Sequence, residues 1–132
     1  MDLENNLNNN LENNMDGFLY HYRAQVQGVY DGDTCTMDID LGLGTWLHNE
    51  KIRLSRINAP ELRGDDHAAG LLARDFLRDK IENQQVWIST LKDKKGKYGR
   101  YIADIWITDA DDNPINVNDA LVAAGHAQYV QY

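Results

Sequence analysis

Apolar and polar side chains alternate strictly over residues 35–40 of this chain. Cys35, Met37 and Ile39 share one face of an extended segment, and the positions between and after them hold threonine or aspartate. A period of two with one apolar face is typical of a strand that lies on a core with its other face in solvent. The alternation therefore predicts a protein built on half-buried β-strands.

Other strand-like segments recur along the chain and are interrupted by two helical patterns. Strands are predicted at residues 26–30, 35–40, 47–57, 86–91 and 101–108. Apolar residues between 69 and 81 recur at helical spacing, with Asp65 or Asp66 as the N-cap, and a second helix begins at Asn116 and ends at Gly125. This order predicts an α+β fold that is mainly β, organised as a small closed five-stranded barrel.

The first 16 residues differ in composition from the rest of the chain. Leu3, Leu7, Leu11 and Met15 recur every four positions, but most residues between them are asparagine, a poor helix former. We therefore predict that residues 1–16 form a disordered low-complexity leader and that residues 17–132 form the folded domain. The alternatives are a helix that binds a partner and a biological start at Met15.

Composition excludes several classes of protein. The length of 132 residues suits one domain, the single cysteine excludes an internal disulfide, and no apolar run approaches the ~18–20 residues of a membrane span. The first residues lack the features of a secretory signal. We expect a cytoplasmic monomer without a membrane partner, with secretion left open if the chain is processed.

The charge balance constrains the ligands. Thirteen basic and 21 acidic side chains give a net charge of −8, which disfavours binding of polyanions by overall charge. A nucleic acid ligand would need a local basic site or a bound cation. Residues 92–100, with five basic and one acidic side chain, are either a solvated loop or a phosphate-contacting loop in which Tyr98 stacks on a base.

Two further segments carry candidate functional residues. Asp31-Gly32-Asp33-Thr34 places two carboxylates at a turn, where they either close the turn or bind a hard cation such as calcium. Arg53 precedes Asn58-Ala59-Pro60-Glu61, and taken alone Arg53 and Glu61 are a solvated strand cation and a loop acid. None of the three segments decides the function alone.

Together the segments resemble the staphylococcal nuclease (thermonuclease) family. The family pattern is an Asp-Gly-Asp-Thr turn, an Arg-Leu strand running into Pro-Glu, a Lys-Tyr-Gly-Arg segment, and a Val-Asn-x-Ala-Leu helix followed by glycine. The matching residues are Asp31 to Thr34, Arg53-Leu54 with Pro60-Glu61, Lys97 to Arg100, and Val117 to Leu121 before Gly125. The resemblance implies an OB-fold barrel and calcium-dependent cleavage of DNA, RNA or both that leaves 3′-phosphates.

The resemblance also implies a role for each matching residue. Arg53 and Arg100 match the phosphate-binding arginines, and Glu61 matches the general base. The calcium ligands would be Asp33, Asn58 and the backbone carbonyl of Ala59, with Asp31 either coordinating directly or lying just behind them. Asn58 stands where the family often has aspartate, so one ligand charge is missing and calcium binding is predicted to be weaker.

Substrate contacts are expected in the basic segment and near the end of the chain. The candidates are Lys95, Lys97, Tyr98 and Tyr132, with Tyr129 as an alternative stacking ring. The alternative function is an OB-fold module that binds nucleic acid or protein with weak or no catalysis. The presence of Asp33, Arg53, Glu61 and Arg100 favours the nuclease, since a degenerate copy would be expected to have lost one of them.

Overall fold

The structure of this chain is a computed structural model that describes residues 16–95 and 98–131. Residues 1–15, nearly all of the predicted leader, lie outside the described residues, as do Lys97 and Tyr132. The boundary between leader and domain therefore stays a prediction. Over the described ranges, no helix is long and apolar enough to cross a membrane.

Five of the strands close into a barrel. The strands are β1 (His21–Asp31), β2 (Thr34–Gly42), β3 (Thr45–Leu54), β4 (Ile57–Asn58), β5 (Gln85–Lys95), β6 (Tyr101–Thr108), β7 (Pro114–Asn116) and β8 (Gln128–Tyr129). Antiparallel pairing joins β3, β2, β1, β5 and β6 in that order, and parallel pairing of β3 with β6 closes the ring. The chain thus has the predicted OB-like α+β fold, made mostly of strand.

Two α-helices pack on this barrel. Helix α1 (His67–Ile81) follows a 3-10 turn at Gly64–Asp66 and lies against β1. Asp66 occupies the predicted N-cap position, although its side chain makes no capping hydrogen bond. The residues that α1 buries are Gly70, Ala73, Leu77 and Ile81. Gly70 does not belong to the apolar pattern; it is buried where α1 contacts the backbone of Glu61.

Helix α2 (Val117–Ala123) lies within the predicted range of residues 116–125, with Asn116 as its N-cap residue. The side chain of Asn116 accepts a hydrogen bond from the backbone N–H of Asp119 at 3.0 Å, which satisfies a donor in the first turn. Gly125 follows the helix with φ +82°, a left-handed conformation that suits glycine.

The structure corrects several predicted strand boundaries. Strand β1 begins at His21 instead of residue 26, and β3 begins at Thr45 instead of residue 47. The strand predicted at residues 47–57 ends at Leu54, because Arg56 has φ +68° and turns the chain out of the ladder. Ile57–Asn58 then pairs with β8 instead. The start of the predicted basic loop, residues 92–95, belongs to β5, since Lys95 pairs with Tyr101 of β6.

A buried amide joins the barrel to α2. Asn118 is 0% exposed, and its Oδ1 accepts a hydrogen bond from the N–H of Ile105 at 3.0 Å. Its Nδ2 donates to the carbonyls of Ser55 and Ala103 at 2.9 and 3.1 Å. Because a buried amide is costly unless its hydrogen bonds are made, these three contacts specify how α2 docks where β3 ends beside β6.

Candidate active site

The two aspartates of the first motif lie at the turn between β1 and β2. The Oδ1 atom of Asp31 accepts from the backbone N–H of Asp33 at 3.1 Å and closes the turn. Asp33 is only 7% exposed; its Oδ2 accepts from the N–H of Ala59 at 2.9 Å and its Oδ1 from the Thr34 hydroxyl at 3.2 Å. The Asp33 carboxylate therefore connects this turn to the segment that follows β4.

Gly32 permits this turn to approach its neighbours closely. A Cβ at position 32 would lie 2.7 Å from the Cβ of Ala59 and 2.7 Å from the Cβ of Ala73 on α1. These distances are too short for carbon atoms attached directly to backbone. Glycine at position 32 thus lets the two aspartates, the segment after β4 and α1 pack against one another.

Arg53 lies near the end of β3, opposite Thr34 of β2. Its Nη1 donates to the carbonyls of Leu54 and Ile57 at 2.8 and 3.0 Å. Its Nη2 donates to Asn58 Oδ1 at 3.1 Å and lies 3.4 Å from Asp33 Oδ2. The guanidinium is therefore held on the wall of the site by backbone carbonyls, with Nη2 facing the candidate metal ligands.

Glu61 is exposed on the loop between β4 and α1, and three contacts anchor that loop. Ala59 is bound to Asp33, and the carbonyl of Leu62 is hydrogen-bonded to the imidazole Nδ1 of His67. A Cβ at Gly70 would lie 2.8 Å from the carbonyl carbon of Glu61, so α1 presses directly on the Glu61 backbone. Within the described residues, the Glu61 carboxylate has no hydrogen-bond or ion-pair partner.

Arg100 lies immediately before β6, the strand that pairs with β3. Its guanidinium carbon lies 5.1 Å from the ring centroid of Tyr98, a cation–π distance. Among the described residues, Arg100 has no carboxylate partner, which leaves its charge available to an anionic ligand.

These side chains converge on one cleft. The lining residues are Asp31, Asp33, Thr34, Arg53, Asn58, Ala59, Glu61 and Arg100. A second, larger concavity, which we call the outer groove, shares Asp31, Thr34, Glu61 and Arg100 with the cleft. Its other lining residues are Tyr30, Thr36, Lys51, Arg63 and Tyr98.

The surroundings of Asp31 alter its ionisation. Burial, and then the nearby charge of Asp33, raise the pKa of Asp31 from 3.8 to about 6. Burial and a second carboxylate nearby both disfavour the charged form of an acid, and the Arg53 guanidinium, 3.4 Å from Asp33 Oδ2, does not cancel these effects at Asp31.

Comparison with known proteins identifies the family of this chain. The model of the family described as staphylococcal nuclease homologue matches residues 51–132, more than half of the chain. This chain belongs to that family. The predicted resemblance is thereby confirmed, and it relates the domain to nucleases, although Asp31 and Asp33 precede the matched range.

Two curated relatives are similar to this staphylococcal nuclease homologue. An uncharacterized protein of Methanocaldococcus jannaschii is 32% identical over 129 residues, covering 82% of this chain and 59% of the relative. The thermonuclease of Staphylococcus intermedius is 31% identical over 87 residues, covering 64% of this chain and 48% of the relative. The chain thus spans between about half and three fifths of the length of these relatives.

The chemistry of the cleft fits the hard cation that the family implies. No group of three or more His, Cys, Asp or Glu side chains suited to one ion occurs in the described part of the chain. The cleft nevertheless offers oxygen donors from Asp31, Asp33 and Asn58, and a cation would offset the burial and the Asp33 charge that raise the pKa of Asp31. With so few protein ligands, water would complete the coordination.

Some predicted substrate-binding residues lie elsewhere in this family member. Lys95 lines neither the cleft nor the outer groove; its ammonium is 3.3 Å from Glu50 Oε2 and 5.2 Å from the ring centroid of Tyr101. Tyr129 donates its hydroxyl hydrogen to Asp119 Oδ1 at 2.9 Å, outside both concavities. Tyr98 does line the outer groove. Lys97 and Tyr132 lie outside the described residues, so their predicted contacts are not tested.

Sequence reasoning missed Tyr30, Lys51 and Arg63, which line the outer groove. The strand period could have found Lys51, because it stands two residues before Arg53 and so faces the same side of β3. Tyr30 carries no comparable signal, since its orientation depends on an irregularity in the pairing of β1 with β2.

Proposed function

We propose that this domain is a calcium-dependent nuclease that hydrolyses phosphodiester bonds of DNA, RNA or both and leaves 3′-phosphates. The observation that supports this proposal is the convergence of Asp33, Arg53, Glu61 and Arg100 on a single cleft. Two guanidinium groups and a general base around one cavity suit a phosphodiester, which is anionic and must be attacked by water.

The calcium ion would be held by Asp33, Asn58 and the carbonyl of Ala59, with Asp31 beside them. When bound, such an ion offsets the negative charge that develops on the phosphate and makes a neighbouring water more acidic. Asp31 would then serve as an ionised carboxylate, because a nearby positive charge lowers the pKa that burial and Asp33 raise.

Glu61 would accept the proton of the attacking water. Its carboxylate is exposed to the cleft and lacks a described partner, and the contacts of the Glu61 backbone with α1 hold it in place. The water oxygen bonds to phosphorus, the bond from phosphorus to the 5′ oxygen breaks, and that oxygen takes a proton from solvent. General base catalysis of this kind contributes on the order of 10²–10⁴-fold in rate.

Arg53 and Arg100 would both hold the phosphate oxygens, since both line the cleft. A planar guanidinium can bind two phosphate oxygens at once, which the single ammonium of lysine cannot do. Arg53 is already oriented by the carbonyls of Leu54 and Ile57, so little ordering is needed when the phosphate enters. Loss of either arginine should reduce kcat by roughly 10²–10³-fold, as for other preorganised donors.

Cleavage of an end-labelled single-stranded oligonucleotide tests the proposal. We expect products with calcium and none with a chelator, and we expect Glu61→Gln to abolish most of the activity. Glu82→Gln is the matched control, because Glu82 pairs with Arg78 at the end of α1 and lines neither concavity. Cleavage that persists in chelator or in Glu61→Gln would contradict the mechanism. Binding of the oligonucleotide without cleavage under any metal would favour the alternative function, an OB-fold module that binds nucleic acid without catalysis.

A further inference from the structure

The outer groove is large and leads away from the cleft. It holds about 850 Å³, within the ~300–1,000 Å³ that is typical of small-molecule sites. One phosphate and the groups bonded to it would occupy the cleft. The groove extends beyond the cleft to Tyr30 of β1 and Lys51 of β3. A polynucleotide bound at the cleft would therefore have a surface on which to continue.

Tyr30 presents an exposed ring to this groove. Val29 pairs with Cys35 and Asp31 pairs with Thr34, so Tyr30 is the extra residue of a β-bulge. A bulge re-aims a side chain and is frequent beside functional sites. The Tyr30 side chain is 62% exposed and has no ring, ion-pair or hydrogen-bond partner among the described residues. The same bulge brings Asp31 to the cleft, so the two features are structurally linked.

Lys51 adds a positive charge to the same groove. It pairs with Thr36 across the ladder and stands two residues before Arg53, about 6.6 Å along the same face of β3. In the described ranges Lys51 and Arg63 have no carboxylate partner, whereas Arg56, Arg74, Arg78 and Lys95 each have at least one. Unpaired cations in a groove of a chain with net charge −8 favour an anionic occupant.

We propose that Tyr30 and Lys51 form a nucleotide subsite next to the cleavage site. Lys51 binds the phosphate adjacent to the one held by Arg53, and Tyr30 stacks on the base of the nucleoside that lies beyond that adjacent phosphate. The occupant is a nucleic acid strand with unpaired bases, because a base in a duplex does not expose its face to a ring. This inference rests on the proposed function, since it assigns the direction in which the substrate leaves the cleft.

Loss of this subsite should weaken the binding and cleavage of a hexanucleotide but not the cleavage of a dinucleotide. In a Glu61→Gln background with calcium, Tyr30→Ala should weaken binding of a fluorescent hexathymidylate by roughly 5- to 100-fold, and Tyr30→Phe should bind like the parent. Lys51→Ala should weaken binding and reduce its salt dependence by about one counter-ion. Lys80→Ala is the matched control, because Lys80 lies on α1 over Phe76 and outside the groove.

In the active protein, Tyr30→Ala and Lys51→Ala should lower kcat/KM for the hexanucleotide and leave that for a dinucleotide without terminal phosphates within twofold. Unchanged hexanucleotide binding in both variants, or no measurable binding by the parent, would overturn the subsite. An equal loss for both substrate lengths would also overturn it. Failure of the proposed nuclease function is a separate result, namely wild-type protein that binds the hexanucleotide but does not cleave it with calcium.

Discussion

Gly70 contacts the backbone of Glu61, so we expect a substitution at Gly70 to lower kcat although Gly70 itself does not touch the substrate. In Gly70→Ala, the new Cβ would lie 2.8 Å from the Glu61 carbonyl carbon, whereas ordinary contact begins at 3.4 Å. Because the Glu61 carbonyl oxygen lies closer still, the difference, 3.4 − 2.8, is a lower limit, and the loop or the helix must move by at least about 0.6 Å. Because a misplacement near 1 Å can cost roughly 10²-fold, we expect kcat to fall by at least about 10-fold.

The stability of the same variant should change less than its activity. Overpacking lowers the free energy of unfolding by roughly 1–3 kcal/mol, but replacing a helical glycine by alanine raises it by about 1 kcal/mol because alanine has the higher helix propensity. We therefore expect the free energy of unfolding to fall by at most ~2 kcal/mol in a urea titration. The protein would remain folded while kcat falls.

The matched control is Gly28→Ala in β1. A Cβ at position 28 meets nothing within 4 Å and the residue has no positive φ, so stability and activity should both stay near wild type. Steady-state cleavage of one oligonucleotide by the three proteins gives the comparison. Wild-type kcat in Gly70→Ala would refute the idea that α1 positions Glu61.

Three further predictions concern other residues. Asn118→Leu removes the side-chain partner of the Ile105 N–H and of the Ser55 carbonyl, while the Ala103 carbonyl keeps the Ser55 N–H; the free energy of unfolding should fall by about 3 kcal/mol, and a loss under ~1 kcal/mol would contradict this. In metal-free protein, the pKa of Asp31 is raised from 3.8 to about 6, so the native state binds more protons than the unfolded state in this window. Stability should therefore fall as pH rises from about 4 to about 6, and Asp31→Asn should flatten that slope in thermal melts. Asn58→Asp adds a ligand charge and should tighten calcium binding in a calorimetric titration; equal affinity would exclude Asn58 as a ligand.

The sequence predicted the barrel because its strands and helices have one apolar face each. The alternation at residues 35–40 and the limits of α2 correspond to elements of the structure. The strand boundary at Leu54 could not be predicted, since it depends on the left-handed conformation of Arg56. Arg56 is in turn held by ion pairs with Asp104 and Asp119, which are distant in sequence.

The candidate site was predictable only through its motifs. The resemblance named the residues of the cleft, but no local pattern indicates that Asp33 binds the N–H of Ala59 or that Arg53 is held by two carbonyls. The basic segment was predicted as one unit, yet Lys95 and Tyr98 lie in different environments because β5 extends to Lys95. These contacts arise from tertiary packing and carry no periodic signal.

Hydrolysis in water enriched in ¹⁸O tests most directly whether the cleft directs water to phosphorus. The account predicts calcium-dependent products whose new 3′-phosphate contains one ¹⁸O atom, and 5′-hydroxyl ends without the label. Products with labelled 5′-phosphates, or an intact oligonucleotide after incubation with calcium, would contradict it.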